Sequence, residues 1–151
     1  MDGMTLLIAD HNRVRGVFAR FQEAEKSGEV AEMAELVRTI DEELTVHTDI
    51  EEKVFYPWAH RLSRDIAEVV DEGIEEHHVV KVLIGELKAM PEVNEQYEAK
   101  FTVLIENVEH HIEEEEKEML PDAKKTLGKE TAVLGDQMQA RKEQLMAAGA
   151  R

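Results

Sequence analysis

The chain of 151 residues contains no cysteine. That excludes disulfides, thiolate metal sites and thiol nucleophiles, and shifts any bound metal toward hard or borderline ions held by oxygen and nitrogen. Proline and glycine are scarce, at 3 and 8 residues, which favours a compact helical bundle over a sandwich or a disordered chain. Positive charge is the minority sign: 18 Lys and Arg stand against 34 Asp and Glu, for a formal net charge of −16. A phosphate backbone would be repelled, so no nucleic-acid partner is expected. Long apolar runs are missing too; no stretch approaches the roughly 18 residues that a membrane helix needs, and no membrane association is expected. The first ten residues lack a basic segment, and the run Leu6 to Ala9 is too short for a secretory core. A cytoplasmic protein is the default these absences set.

What is present is heptad-like apolar spacing. A chain of this length can bury about two thirds of its unfolded surface, and one domain spanning residues 1–151 is expected. Leu7, His11, Val14, Phe18 and Phe21 predict a first helix from about Thr5 to Lys26, ending at Ser27-Gly28. A second, about Val30 to Tyr56, carries Met33, Val37, Ile40, Leu44, His47, Glu51 and Val54 on one face, with Pro57 bending or stopping it. Residues Trp58 to Leu62 read as a short turn. A third helix, about Ser63 to Met90, presents Val70, Gly73, His77, Val80, Ile84 and Leu87. A fourth, about Asn94 to Leu120, presents Tyr97, Phe101, Leu104, Val108, His111 and Glu115 and is expected to stop before Pro121. Short connections between helices of this length predict an all-α, up-down-up-down four-helix bundle over about residues 4–122. An extra C-terminal helix, about 128–148 and starting after Gly128, would pack outside it through Leu134, Met138 and Leu145.

The chain also repeats itself. His47-Thr-Asp-Ile-Glu51-Glu52-Lys-Val-Phe-Tyr-Pro57 returns 64 positions later as His111-Ile-Glu-Glu-Glu115-Glu116-Lys-Glu-Met-Leu-Pro121. Asp10-His11 and the residues after it align with Glu76-His77 at an offset of 66. A bundle built from two such hairpins has an approximate twofold axis through its core. His and Glu four apart share a helix face, separated by roughly 40° and about 6 Å along the axis, so an imidazole and a carboxylate can converge on one ion. Periodicity places His11, His47, His77, His111, Glu51 and Glu115 in the interior. Two buried carboxylates need compensating charge that neutral imidazoles cannot supply and that a pair of cations can. Closed zinc sites seldom use bridging glutamates, and calcium and magnesium prefer all-oxygen shells. Paired histidines with carboxylates and open positions suit non-haem iron, with manganese as the nearer competitor and zinc a lesser one.

At these residues the chain resembles the hemerythrin-like HHE cation-binding proteins. The resemblance rests on His11, on His47-x-x-x-Glu51-Glu52 ending in Phe55-Tyr56-Pro57, on Glu76-His77, and on His111-x-x-x-Glu115-Glu116 ending in Leu120-Pro121. It implies a bundle enclosing two iron ions joined by an oxo or hydroxo bridge, with His11, His47, His77 and His111 as nitrogen ligands and Glu51 and Glu115 as bridging carboxylates. It also implies a small diatomic or peroxide ligand. Oxygen binding, iron or oxygen sensing, and catalase-like or nitric-oxide-reducing turnover are the activities found across such proteins. Oxygen carriers of this type place a further histidine four residues after the one on the third helix; here that position is Lys81, and its counterpart is Arg15. The substitution shifts the expectation from transport toward redox chemistry or sensing. Arg15 and Lys81 would instead pair with Glu52 and Glu116 and help to orient the ligands.

Other candidates take ordinary readings. His110 with Glu114 offers a register one residue away from His111 with Glu115, and the match of Glu115 to Glu51 against the fixed prolines favours the latter. His60 reads as a surface residue, His78 and His110 as partly exposed residues or as supports behind the ligands, and Glu118 as a carboxylate at the solvated mouth of the bundle. Tyr56 offers a phenolate beside the site, with packing at the helix end as the adopted reading. Met33, Met90, Met119, Met138 and Met146 read as packing and not as a copper site. A monomer and a homodimer are equally compatible with the sequence.

Overall fold

The computed structural model describes residues 2–127 and 130–149. Among them there is no strand, and no helix is long and apolar enough to cross a membrane. The main helices are α1 (Gly3–Lys26), α2 (Val30–Ile50), α4 (Arg64–Ala89) and α5 (Glu95–Glu114). Three of these four helix starts, all but that of α2, are fixed by a short polar side chain. Asp2 accepts from the Thr5 amide at 2.8 Å, Ser63 from Ile66 at 3.1 Å and Asn94 from Tyr97 at 3.0 Å. After α1 the chain turns through Gly28, whose φ of 67° only glycine adopts without strain.

α1 packs on α2 and α4 on α5 as hairpins, and α2·α4 and α1·α5 contacts close the ring. This is the expected up-down-up-down bundle. The inner faces follow the sequence stripes, and two apolar clusters result. One joins Val14, Phe18, Phe21, Ile40, Ile84, Phe101 and Leu104 at one end of the bundle. The other joins Leu7, Ile50, Phe55, Tyr56, Val70 and Met119 at the opposite end, together with Leu134 and Met138 of α7 (Glu130–Ala147). α7 lies across α1 and α2 as the expected additional helix. The expected start of this segment at Gly128 lies outside the described residues.

The prolines act differently from the expectation. Helix four does not stop before Pro121, and Pro57 does not stop helix two. Each chain passes through a five-residue π-helical turn, Glu51–Phe55 and Glu115–Met119, and then resumes as α3 (Tyr56–Ala59) and α6 (Leu120–Leu127). The Tyr56 and Leu120 amides reach back five residues, to the Glu51 and Glu115 carbonyls. A proline ring collides with the carbonyl four residues before it, and a turn widened by one residue gives that carbonyl room. The widening also moves the inner face along by one position. Phe55 and Met119 are fully buried, whereas Val54, expected to face inward, is only partly buried and Glu118 is exposed.

Candidate metal centre

Between the two apolar clusters lies one polar layer. His11, His47, Glu51, His77, His111 and Glu115 are all buried, with Glu51 and Glu115 at 0% exposure. Apolar periodicity drives the four histidines inward, and the π-helical turns begin at the two glutamates, so both carboxylates enter the layer where the helix widens. The structure brings all six side chains together as two adjoining groups. His11, His47, Glu51 and Glu115 offer donor atoms within 4.8 Å of one another, and so do Glu51, His77 and His111. Glu115 touches both groups, with Oε1 at 3.1 Å from His11 Nε2 and Oε2 at 3.2 Å from His111 Nε2. Glu51 Oε1 lies 3.3 Å from His47 Nε2, 3.0 Å from His77 Nε2 and 3.6 Å from His111 Nε2.

Behind each imidazole stands a carboxylate. Nδ1 of His11 meets Glu116 at 2.8 Å, that of His47 meets Asp10 at 3.1 Å, that of His77 meets Glu52 at 2.7 Å, and that of His111 meets Glu76 at 2.7 Å. These contacts place the proton on Nδ1 and turn every Nε2 lone pair inward. The arrangement obeys the internal repeat: Asp10 corresponds to Glu76, and Glu52 to Glu116. The expected pairing of the two cations is present, with Arg15 on Glu116 at 3.1 Å and Lys81 on Glu52 at 3.8 Å. Asp10 and Glu76 stood in the aligned motif without an assigned role; their position directly before His11 and His77 in both halves was the available signal.

Tyr56 breaks the symmetry. Its buried hydroxyl donates to Glu115 Oε2 at 2.6 Å and stands 3.0 Å from His111 Nε2 and 3.4 Å from His77 Nε2, where the repeat has Leu120. Packing alone therefore understates this residue. Gly73 makes the approach possible, since a Cβ there would lie 2.9 Å from the Tyr56 hydroxyl and 3.1 Å from His111 Cε1.

Charge in the layer is tightly coupled. Burial, which by itself would lower the imidazole pKa values, is outweighed by carboxylates: Glu51 and Glu115 raise His47, Glu51 and Glu52 raise His77, and Glu115 with Glu51 and Glu76 holds His111 well above its ordinary value. Burial would raise Glu51, but His47 and its other partners hold it well below 4.5. Burial and then the two glutamates push the Tyr56 phenol well above 10.0, so it stays protonated and donates. The remaining histidines fall outside this layer. His60 pairs with Asp71 at 3.1 Å, and His60, His78 and His110 are exposed.

The donor set fits cations on three counts. His47 Nε2 and Glu51 Oε2 are buried without a hydrogen-bond partner; Glu51 Oε1 is 3.3 Å from that nitrogen but poorly aligned for a bond. Two inward lone pairs, His77 and His111 Nε2, face each other at 3.1 Å, which repels unless a proton or a cation sits between them. Bonds of about 2.1 Å to a six-coordinate cation put neighbouring donors about 3 Å apart, and the spacings of 3.0, 3.1 and 3.2 Å above have that size. Next to the imidazoles is a small cavity of about 20 Å³, lined by the four histidines with Val14, Leu44, Val80, Val108 and Ile112 among its walls.

The hemerythrin HHE cation binding domain matches residues 2–123, most of the chain, and the protein belongs to that family. No curated protein and no solved structure matches it. Membership and the buried His/Glu groups together point to metal-ion binding.

Proposed function

We propose that the protein is a non-haem di-iron protein that binds, and turns over, a small molecule of the class of O2, peroxide or nitric oxide. His11 and His47 would hold one iron, His77 and His111 the other, and Glu51 and Glu115 would bridge them. The observation that carries this reading is the small cavity of about 20 Å³ bordered by all four imidazoles. A space of that size admits a diatomic molecule, peroxide or water, and little else.

When bound, paired iron ions supply electrons to, or accept them from, a ligand seated beside them. The protein's own groups define how such a ligand is treated. Asp10, Glu52, Glu76 and Glu116 hold the imidazoles in one tautomer and orientation. Apolar walls from Val14, Leu44, Val80, Val108 and Ile112 exclude bulk water and larger ligands. Tyr56 keeps a hydroxyl proton at Glu115, within reach of the His77 and His111 side of the centre, and supplies a hydrogen-bond donor there.

A second reading, metal-dependent sensing without turnover, is favoured by one contact. Lys142 of α7 reaches Asp10 at 3.0 Å, so the carboxylate that orients His47 is also an anchor of the outer helix. Iron loading without oxygen, followed by optical titration with oxygen, peroxide and nitric oxide, tests both readings. Turnover predicts catalytic consumption of peroxide or nitric oxide. Stoichiometric binding with a change in α7 protection supports sensing, and no response to any of the three contradicts both.

A further inference from the structure

Four carboxylates orient the four inward imidazoles, and three of them are neutralised by fixed cations. Asp10 is paired with Arg13 and with Lys142, Glu116 with Arg15, and Glu52 with Lys81. Glu76 is the exception. The position matching Arg13 is Val79, and among the described residues Glu76 pairs with two imidazoles. Its Oε1 takes the His111 Nδ1 proton at 2.7 Å, and its Oε2 faces His110 Nε2 at 3.8 Å. His110 Nε2 in turn lies 2.6 Å from Glu114 Oε1. Donor atoms of Glu76, His110 and Glu114 fall within 4.8 Å of one another, and Glu72 and Glu118 add negative charge around Glu114.

The internal repeat shows how particular this face is. His110 and Glu114 correspond to Val46 and Ile50, which are 5% and 0% exposed and belong to the apolar cluster that α7 completes with Leu134 and Met138. One face of the bundle is thus sealed by a helix and lined with cations. Its twofold mate on α4 and α5 is left open, with a histidine and two carboxylates in place of the apolar seal. The His110 side chain is 63% exposed, and those of Glu76 and Glu114 are 24% and 22% exposed. Glu76 also forms part of the wall of the interior cavity, so a single carboxylate borders both the surface group and the buried layer.

We infer that Glu76, His110 and Glu114 form a surface site for one divalent first-row transition cation, and that this site passes its ion inward toward His111. One imidazole and two carboxylates without thiolate suit such ions, and solvent exposure leaves positions for water, so the ion is held loosely enough to leave. The acidic surroundings concentrate cations at this face, whereas Arg13, Lys142, Arg15 and Lys81 oppose their approach at the other three carboxylates.

The inward transfer rests on the interior centre proposed above; the surface site does not. Cobalt(II) uptake by the full chain, read by calorimetry and by the visible absorption of the bound ion, tests both. Wild type should take up a weaker equivalent beyond those held inside, and His110→Ala and Glu114→Gln should each lose it while reaching the same final interior content. At low cobalt both variants should fill the interior about tenfold more slowly, the scale expected when local cation focusing is lost. Glu115→Ala should lose interior cobalt and keep the weak equivalent, which separates failure of the interior reading from failure of this one. Persistence of the weak equivalent in His110→Ala and Glu114→Gln, or unchanged filling rates, would overturn the inference. Both substitutions are at solvent-accessible positions, and unchanged circular dichroism verifies the fold.

Discussion

At the scale of the residue, Glu51 and Glu115 carry the argument because each is a carboxylate at 0% exposure that, among the described residues, pairs with histidines and not with a lysine or arginine. Protons on the imidazoles supply the compensating charge when no metal is present, and this has a measurable consequence. His47, His77 and His111, with values raised above 6.5, stabilise the metal-free fold fully below 6.5 and lose that contribution as pH rises through their folded values. Glu51, held below 4.5, contributes above 4.5 and loses its contribution as pH falls through its folded value. The melting temperature of the metal-free protein should therefore be highest between 4.5 and 6.5 and decline above neutrality. Bound cations should abolish the alkaline decline; thermal melts across pH, with and without iron, check this. Gly73→Ala makes a second residue-scale test. A methyl 2.9 Å from the Tyr56 hydroxyl must displace it, so tyrosine fluorescence and ligand affinity should change more than in Gly85→Ala, where the added carbon meets nothing within 4 Å. The four histidines and two glutamates were legible in the sequence because they repeat at fixed spacing. Tyr56 was legible only as a phenol beside the site, since its hydroxyl reaches the layer through the gap above Gly73, and a close approach between helices leaves no periodic signal.

At the scale of the element, the π-helical turns decide which side chains enter the core. A regular helix places Val54 and Glu118 inward, seven residues after His47 and His111. The widened turns place Phe55 and Met119 there instead. Met119→Ala should destabilise by about 2–4 kcal/mol, as for other fully buried large-to-small changes, while Glu118→Ala should stay within about 0.5 kcal/mol. Chemical denaturation of the two variants distinguishes the registers; the opposite ranking would restore the regular helix. The caps at Asp2, Ser63 and Asn94 follow simple local chemistry, which is why those three helix starts fall within two residues of where the pattern predicts them. The helix ends at Pro57 and Pro121 do not, because a proline signals a disturbed hydrogen bond without saying whether the chain stops or widens to continue.

At the scale of the whole molecule, the internal duplication explains why the centre sits where it does and why its two faces differ. Two hairpins related by an approximate twofold axis bring each His-x-x-x-Glu motif into one layer, and the apolar clusters on either side shield that layer from water. This much follows from patterning that a sequence displays openly. The asymmetry is less open: α7 lies mainly on the α1 and α2 face, and nothing in its own spacing of Leu134 and Met138 says which side it takes. Val46 and Ile50, apolar where the repeat has His110 and Glu114, offer α7 that face, and long-range pairs such as Arg141 with Asp49 at 2.7 Å and Lys142 with Asp10 at 3.0 Å add to it; charged pairs of this kind have no signature along the chain. Iron content per chain after anaerobic loading, compared between wild type and Glu115→Ala, tests the central claim most directly. Two irons in wild type and loss of at least one in the variant are expected; a wild-type chain that takes up none, or a variant that keeps both, would contradict the account.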